Sequence, residues 1–523
     1  MTESDLLSQA AAAVSTAGAV IAAGIETAKT SGTADEDQQL VYSLAHAASA
    51  HAMAASALRY AEVGDDEARL AHVFIGRQLT ELAAMLWARS ADWGVGRDAL
   101  DDTRDYAAVV TAPDFVGAAA TTAGSANLPD DLEMVATTFR QFANERVAPH
   151  AEEIHRHDLD IPQEIIDGVA ELGCFGLSIP EQYDGSASGS VDDYMAMVIA
   201  TEELSTASLG AGGSLITRPE ILARAIEAGG TDEQKQRWLP AIATGETLCA
   251  VAVTEPDFGS DVANLKVSAT KEEGGWRING VKTWCTFAGR ANALMVLART
   301  NPDPEAKHRG LSLFVVDKPS DDGHAFRHEV DGGTLEGRAI PTLGYRGMHS
   351  FEVSFTDWLV PAENMIGGDE GLGRGFYLQM AGFENGRIQT AARAVGVMQR
   401  AWEVASEYAQ NRVVFGSPIA DYELTQVKLG QMAAIIQISR QYAYEVARTM
   451  AAGDGSLEAS MAKAYVCKAA EWVTREALQI HGGMGYAEEY EVSRLFVDAR
   501  VLSIFEGADE TLCLKLIGRR LLA

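Results

Sequence analysis

Apolar residues recur in the first hundred positions with a helical period. Leu70, Phe74, Leu79, Leu82 and Leu86 follow one another at spacings of three to five, with polar positions between them. The pattern predicts an Ala-rich helical block over residues 1–112, and "PDFVGAAATTAGSAN" (113–127) reads as a small-residue linker. A second helical block begins at Leu128, where Pro129 and two aspartates make a good helix start, and runs to 248. Between 249 and 366 the period shortens toward two in "LCAVAV", "WRINGVKTWCTF", "ALMVLAR" and "LSLFVVDK", which predicts a β-domain. Helical periodicity returns from 367 to 523, in long segments over 375–411, 421–452 and 456–480. The fold class is therefore mainly α with a central β-domain, behind an extra N-terminal helical domain.

Composition narrows the partners. The 523 residues are 47% hydrophobic with 14 prolines, a globular balance. A formal charge of -32 repels nucleic acid and anionic membranes, so neither is an expected partner. An anionic coenzyme can still bind where local cations or helix N-termini reverse the field. Residues 6–25 carry no charge over about a membrane span, but they are mostly Ala, Ser, Thr and Gly behind Glu3 and Asp5. A packed helix is the expectation there.

Cysteine and histidine usage adds little chemistry. Five scattered cysteines without a C-x-x-C pair suit a reducing cytoplasm. His155 and His157 stand two apart, a spacing that points them to different faces of a helix, so no metal site is expected.

Three stretches carry chemistry. In "AVTEPDFGSD", Gly259 and Ser260 offer backbone N–H groups and a hydroxyl in a turn, which suits a phosphate. In "KTWCTFAG", strand alternation puts Trp284 and Thr286 on one face, where an indole and a hydroxyl can flank a flat heteroaromatic ring. In "QIHGGMGYAEEYEVSRLFVDAR", Gly482, Gly483 and Gly485 interrupt a helix and admit close backbone approach. No G-x-G-x-x-G occurs, so a Rossmann site is unsupported.

Together, "AVTEPDFGSDVA" and "QIHGGMGYAEEYEVSRLFVDA", in that order and within a helix, β, helix succession, resemble the acyl-CoA dehydrogenase family over residues 128–523. The resemblance implies a helical N-domain, a β-barrel-like middle domain and a C-terminal four-helix bundle. It also implies FAD as cofactor, an acyl-CoA substrate, an electron-transfer flavoprotein as acceptor and a cytoplasmic bacterial setting. Val253, Thr254, Gly259, Ser260, Trp284 and Thr286 would line FAD, with Gln479, Gly482 and Gly483 also on the cofactor. Arg412, Phe415 and Gly416 of "RVVFG" would grip FAD of a neighbouring subunit, so a homodimer at least is expected.

By the same resemblance the general base falls on Glu506, in the aromatic-Glu-Gly motif of "SIFEGADETL". Ser260, Glu384, Arg387 and Gly507 would contact substrate. Some family members carry the base on an earlier helix, but Gly386 stands there in "GFENGRIQT". A base working beside a thioester must be desolvated, and Ile504 with Phe505 suggests such surroundings. Ala508, Glu510 and Glu423 depart from the family pattern, so flavin contacts at those points are not carried over.

"IFEGADE", "GRIQTAARAVG" and the extension resemble the subgroup that oxidises (2S)-methylsuccinyl-CoA to mesaconyl-CoA. Such a substrate's free carboxylate needs a cation, for which Arg346 and Arg393 are candidates. A short-chain or branched-chain dehydrogenase, or an acyl-CoA oxidase, is the alternative on the same fold. The motif-free first block alone would equally suit a non-catalytic scaffold.

Overall fold

Small side chains set how the N-terminal helices meet. The computed structural model describes residues 3–31 and 35–523, and its chain forms two compact units, residues 1–134 with 390–523 and residues 135–389. In the first unit, α1 (Glu3–Ser31), α2 (Gln38–Tyr60) and α3 (Asp65–Arg89) pack together. By length and composition α1 could cross a membrane, but here Ala10, Ala13, Val14, Val20 and Ile21 are buried. A Cβ added at Gly24 would meet Leu44 Cδ2 at 2.7 Å, so glycine permits that close helix contact. The side chain of Asp37 caps α2 by accepting from Leu40 N at 3.2 Å.

The helices Glu423–Ala451 and Ser456–His481 carry this block. Polar contacts fix its register: Arg59 pairs with Glu445 at 2.5 Å, and Gln78 Nε2 donates to the Tyr465 hydroxyl at 2.5 Å. Within the stretch read as a linker, Pro113–Gly117 is a short helix, with proline at its first position, where no intrahelical N–H is needed. Val116 is buried there, and Gly430 of the facing helix lies against its carbonyl, so packing organises a segment whose own pattern is weak.

The second unit sets five helices of nine residues or more, Ala148–His157, Gln163–Glu171, Val191–Ala207, Thr217–Gly229 and Asp232–Ala243, before an eight-stranded sheet. Its strands are β1 (Cys249–Ala252), β2 (Ser268–Glu272), β3 (Gly275–Thr286), β4 (Ala293–Arg299), β5 (Leu311–Asp317), β6 (Ala325–Val330), β7 (Gly333–Ile340) and β8 (Ser350–Pro361). The order is β1-β4-β2-β3-β8-β7-β6, with β5 beside β4. β1 runs parallel to β4, Cys249 opposite Ala293, and β3 runs antiparallel to β8. Met295, Leu297, Leu313 and Val315 pack with Ile226, Trp238 and Leu239 in one core. Each such side chain contributes about 1.5–3 kcal/mol when fully buried.

Candidate active site

In the second unit the turn "TEPDF" closes on itself, since Glu255 and Phe258 exchange backbone hydrogen bonds of 3.1 and 3.0 Å. The Glu255 carboxylate accepts from Lys266 N and Val267 N, both at 2.8 Å, and from Lys282 Nζ at 2.9 Å. Lys282 is fully buried and also donates to Val253 O at 2.8 Å, while Thr283 N donates to Thr254 O at 2.9 Å. Burial brings the Lys282 ammonium down to about 8, against the opposing pull of Glu255. A buried ion pair thus ties the first motif to the strand carrying the second.

The alternation expected for "KTWCT" does not hold through Trp284. The β3/β8 register shifts between Lys282 and Cys285, and Trp284 takes φ +57, so this irregularity re-aims the indole. Trp284 is 55% exposed while Thr286 is buried, its hydroxyl 2.9 Å from that of Ser350. His349, just before, holds its ring between Asp160 Oδ1 at 3.0 Å and Asp158 Oδ1 at 3.3 Å. Burial alone would lower its pKa, but the two carboxylates raise it above the ordinary value.

Ser260 is exposed beside Gly259. A Cβ at Gly259 would meet only Thr254 Cγ2, at 4.0 Å, and at Gly483 it would meet nothing within 4 Å. The protein's own packing therefore does not demand glycine at either place. Open backbone beside a hydroxyl at Gly259 and Ser260 suits a pyrophosphate, and the exposed Trp284 indole suits a flat ring; FAD carries both groups.

Also in the second unit, Arg387 is buried, and its Nε makes no hydrogen bond. Burial lowers its pKa and the Glu384 carboxylate opposes this. Arg346 is already engaged, donating to His155 O at 2.6 Å and to Thr342 O at 3.2 Å.

In the first unit, Glu506 follows the helix Glu491–Leu502 at φ +51, and Gly507 follows at φ +107. A non-glycine residue in this left-handed region carries about 1–2 kcal/mol of strain, which the surroundings must hold. Lys463 Nζ donates to Gly507 O at 2.5 Å. The Glu506 side chain is 6% exposed, with Arg393 Nη2 3.4 Å from its Oε1. Arg393 itself is fully buried, donates to Thr390 Oγ1 at 2.6 Å, and lies 4.6 Å from the centre of the Phe505 ring. This pairing was not anticipated; apart from the helical position of Arg393, a span of more than a hundred residues leaves no local signal for it.

The other first-unit candidates lie on the surface. Phe415 is 97% exposed at φ +52, in the hairpin of Val413–Val414 and Ser417–Pro418, with Gly416 beside it at φ +92 and Arg412 also exposed. Gln479, Gly482 and Gly483 are exposed where the helix Ser456–His481 ends.

Three family models match the chain in succession. The acyl-CoA dehydrogenase N-terminal, middle and C-terminal domains match residues 129–246, 250–358 and 373–522. The chain belongs to the acyl-CoA dehydrogenase family. It is 45% identical over 404 residues, 77% of this chain and 71% of the relative, to (2S)-methylsuccinyl-CoA dehydrogenase of Cereibacter sphaeroides.

Among solved structures, butyryl-CoA dehydrogenase of Megasphaera elsdenii has a TM-score of 0.69 at 31% identity, over 76% of this chain and 99% of that one. A glutaryl-CoA dehydrogenase of Mycobacterium smegmatis in complex with FADH2 has a TM-score of 0.65 at 26% identity, over 75% and 95%. The protein is an FAD-dependent oxidoreductase acting on an acyl-CoA.

Proposed function

We propose that the chain oxidises (2S)-methylsuccinyl-CoA to mesaconyl-CoA, with Glu506 as the base that removes the proton from the carbon alpha to the thioester. The observation that carries this is the dry Glu506 carboxylate, held by Arg393 beside Phe505. The left-handed turn at Glu506 and Gly507 aims the carboxylate. The backbone N–H of Glu506 is assigned to the thioester oxygen, where it steadies the charge that builds as the proton leaves.

Bound FAD supplies the hydride acceptor. Val253, Thr254, Gly259, Ser260, Trp284 and Thr286 hold it, together with Gln479, Gly482 and Gly483. Glu384, Arg387, Ser260 and Gly507 contact the acyl-CoA. For the substrate carboxylate the candidates are Arg393, which adjoins Glu506, and Arg346, which serves two backbone carbonyls. The relative at 45% identity, named for the same substrate, supports the acyl group assigned here.

The working assembly in this reading is a homodimer in which Arg412, Phe415 and Gly416 reach the neighbour's FAD; the exposed Phe415 ring supports it. An electron-transfer flavoprotein takes the electrons. The five free, buried cysteines suit a reducing cytoplasm.

Anaerobic titration of the yellow protein with methylsuccinyl-, butyryl-, isobutyryl- and glutaryl-CoA tests the reading. Methylsuccinyl-CoA should bleach the flavin, and Glu506→Gln should keep its FAD but lose nearly all turnover. A variant within about tenfold of wild type would refute the base. Preferential bleaching by butyryl- or isobutyryl-CoA would move the substrate to short or branched monoacyl chains, and rapid peroxide formation in air would mark an oxidase.

A further inference from the structure

The Glu506 turn is tied down from three sides. Asp509 N donates to Ser503 O at 3.2 Å, which closes the stretch that carries Glu506 and Gly507. Ser503 Oγ donates to Glu471 Oε1 at 2.5 Å, and Lys463 holds Gly507 O. The third tie comes from the N-terminal extension. On α2, the Tyr42 hydroxyl donates to Asp509 Oδ2 at 2.5 Å, and His46 Nε2 lies 3.1 Å from the same oxygen.

The chemistry of this contact is determinate. Burial raises the pKa of Asp509, but His46, Tyr42 and Lys468 outweigh it and hold the carboxyl below its ordinary value. An ionised carboxylate only accepts, so the His46 Nε2 must carry the proton. Lys468 Nζ donates to the Tyr42 oxygen at 3.0 Å, which leaves the hydroxyl hydrogen directed at Asp509. Cys513 Sγ also lies near, 3.8 Å from Asp509 Oδ1, but the ammonium of Lys468 makes the cluster a poor place for a divalent metal.

Two further contacts join the extension to the same C-terminal segment. Asp35 pairs with Lys515, and Gly518 lies so close to α2 that a Cβ there would meet Val41 Cγ1 at 2.4 Å.

We propose that Tyr42 and His46 are positioning residues for catalysis: by holding Asp509 they fix the left-handed turn that presents Glu506. The extension, which carries no chemical motif of its own, thereby becomes part of the machinery. This inference rests on the reading of Glu506 as the base.

The test uses full-length, FAD-loaded enzyme and the acyl-CoA that bleaches the wild-type flavin. Tyr42→Phe with His46→Ala should lower kcat by about tenfold or more, as expected for a misplaced base, with KM and FAD content within about twofold of wild type. Amide exchange across residues 503–511 should rise in the same variant. Replacing His46→Ala by His46→Gln, which returns an N–H donor, should restore most of the rate. If the double variant folds poorly, Tyr42→Phe alone, which keeps the ring, carries the same expectations at smaller size.

An unchanged kcat, unchanged exchange in that segment, or a rate loss that follows FAD loss in proportion would overturn the proposal. If no acyl-CoA bleaches the wild type, the functional reading falls and takes the catalytic role with it, while the exchange result separately decides whether the clamp holds the turn.

Discussion

Arg393 Nη2 lies 3.4 Å from Glu506 Oε1, joining a guanidinium with no solvent exposure to a carboxylate that is 6% exposed. Two charges out of water support each other, and removing one leaves the other uncompensated. Arginine also suits this place by shape, since its plane rests near the Phe505 ring while Nη2 reaches Thr390.

Arg393→Met should therefore lower kcat/KM by about a hundredfold, equivalent to roughly 2.7 kcal/mol of transition-state stabilisation. Arg393→Lys should recover part of this through charge alone. If Arg393 also receives the substrate carboxylate, the loss should be larger for methylsuccinyl-CoA than for butyryl-CoA. Steady-state rates with both substrates decide it; equal losses would remove the arginine from substrate recognition.

The Lys282–Glu255 pair makes a different prediction. Glu255 accepts two backbone N–H groups as well as the lysine, so Lys282→Met strips the cation from a carboxylate that stays buried. Loss of one partner of a buried pair costs about 3–5 kcal/mol. Thermal unfolding should move down by several degrees, and FAD should be released more readily, because Val253 loses a hydrogen bond at the same time. Retention of both wild-type melting and flavin content would contradict the assigned role.

How much of this was legible in the sequence differs by element. The helices Gly375–Asn411 and Ser456–His481 lie close to their predicted spans, because a long apolar stripe of helical period is a local signal. β1, β3, β4 and β5 were legible from short apolar runs of period near two, whereas β2, β6 and β7, with charged exposed positions, gave no such run. Trp284 escaped the period-two reading because an irregularity in pairing with β8 is set by the partner strand. The contacts of Glu506 with Arg393, and of Asp509 with Tyr42, join distant parts of the chain and leave no trace in local pattern. The position of Glu506 itself came from motif resemblance; of the flanking residues read as a desolvated setting, Ile504 is instead 53% exposed, and it is Arg393, near the Phe505 ring, that lies against the carboxylate.

His349 predicts a pH dependence. Its folded pKa is raised above the ordinary value of 6.5, so the folded chain binds its proton more tightly than the unfolded chain does. The stabilisation is fully present below about 6.5 and is lost as pH rises through the elevated folded value. His349 O accepts from Phe287 N at 2.8 Å, next to Thr286, so the effect falls on the strand end assigned to FAD. Wild-type melting temperature should decline across that rise in pH, and His349→Gln should flatten this part of the profile. An identical slope in both proteins would assign the dependence to another group.

Gly507 isolates geometry from charge. At φ +107 an L-residue is strained whatever the space around it, and an added Cβ would in addition meet Leu512 Cδ2 at 3.0 Å. Gly507→Ala should therefore distort the turn that carries Glu506 while leaving the carboxylate, Arg393 and the residues assigned to FAD chemically intact. A small displacement of a base can cost about a hundredfold in rate. The expected result is a yellow protein with near-normal FAD content, kcat reduced by about ten- to a hundredfold, and a smaller change in KM. Wild-type turnover in this variant would show that the left-handed turn after Glu506 is not what aims the base.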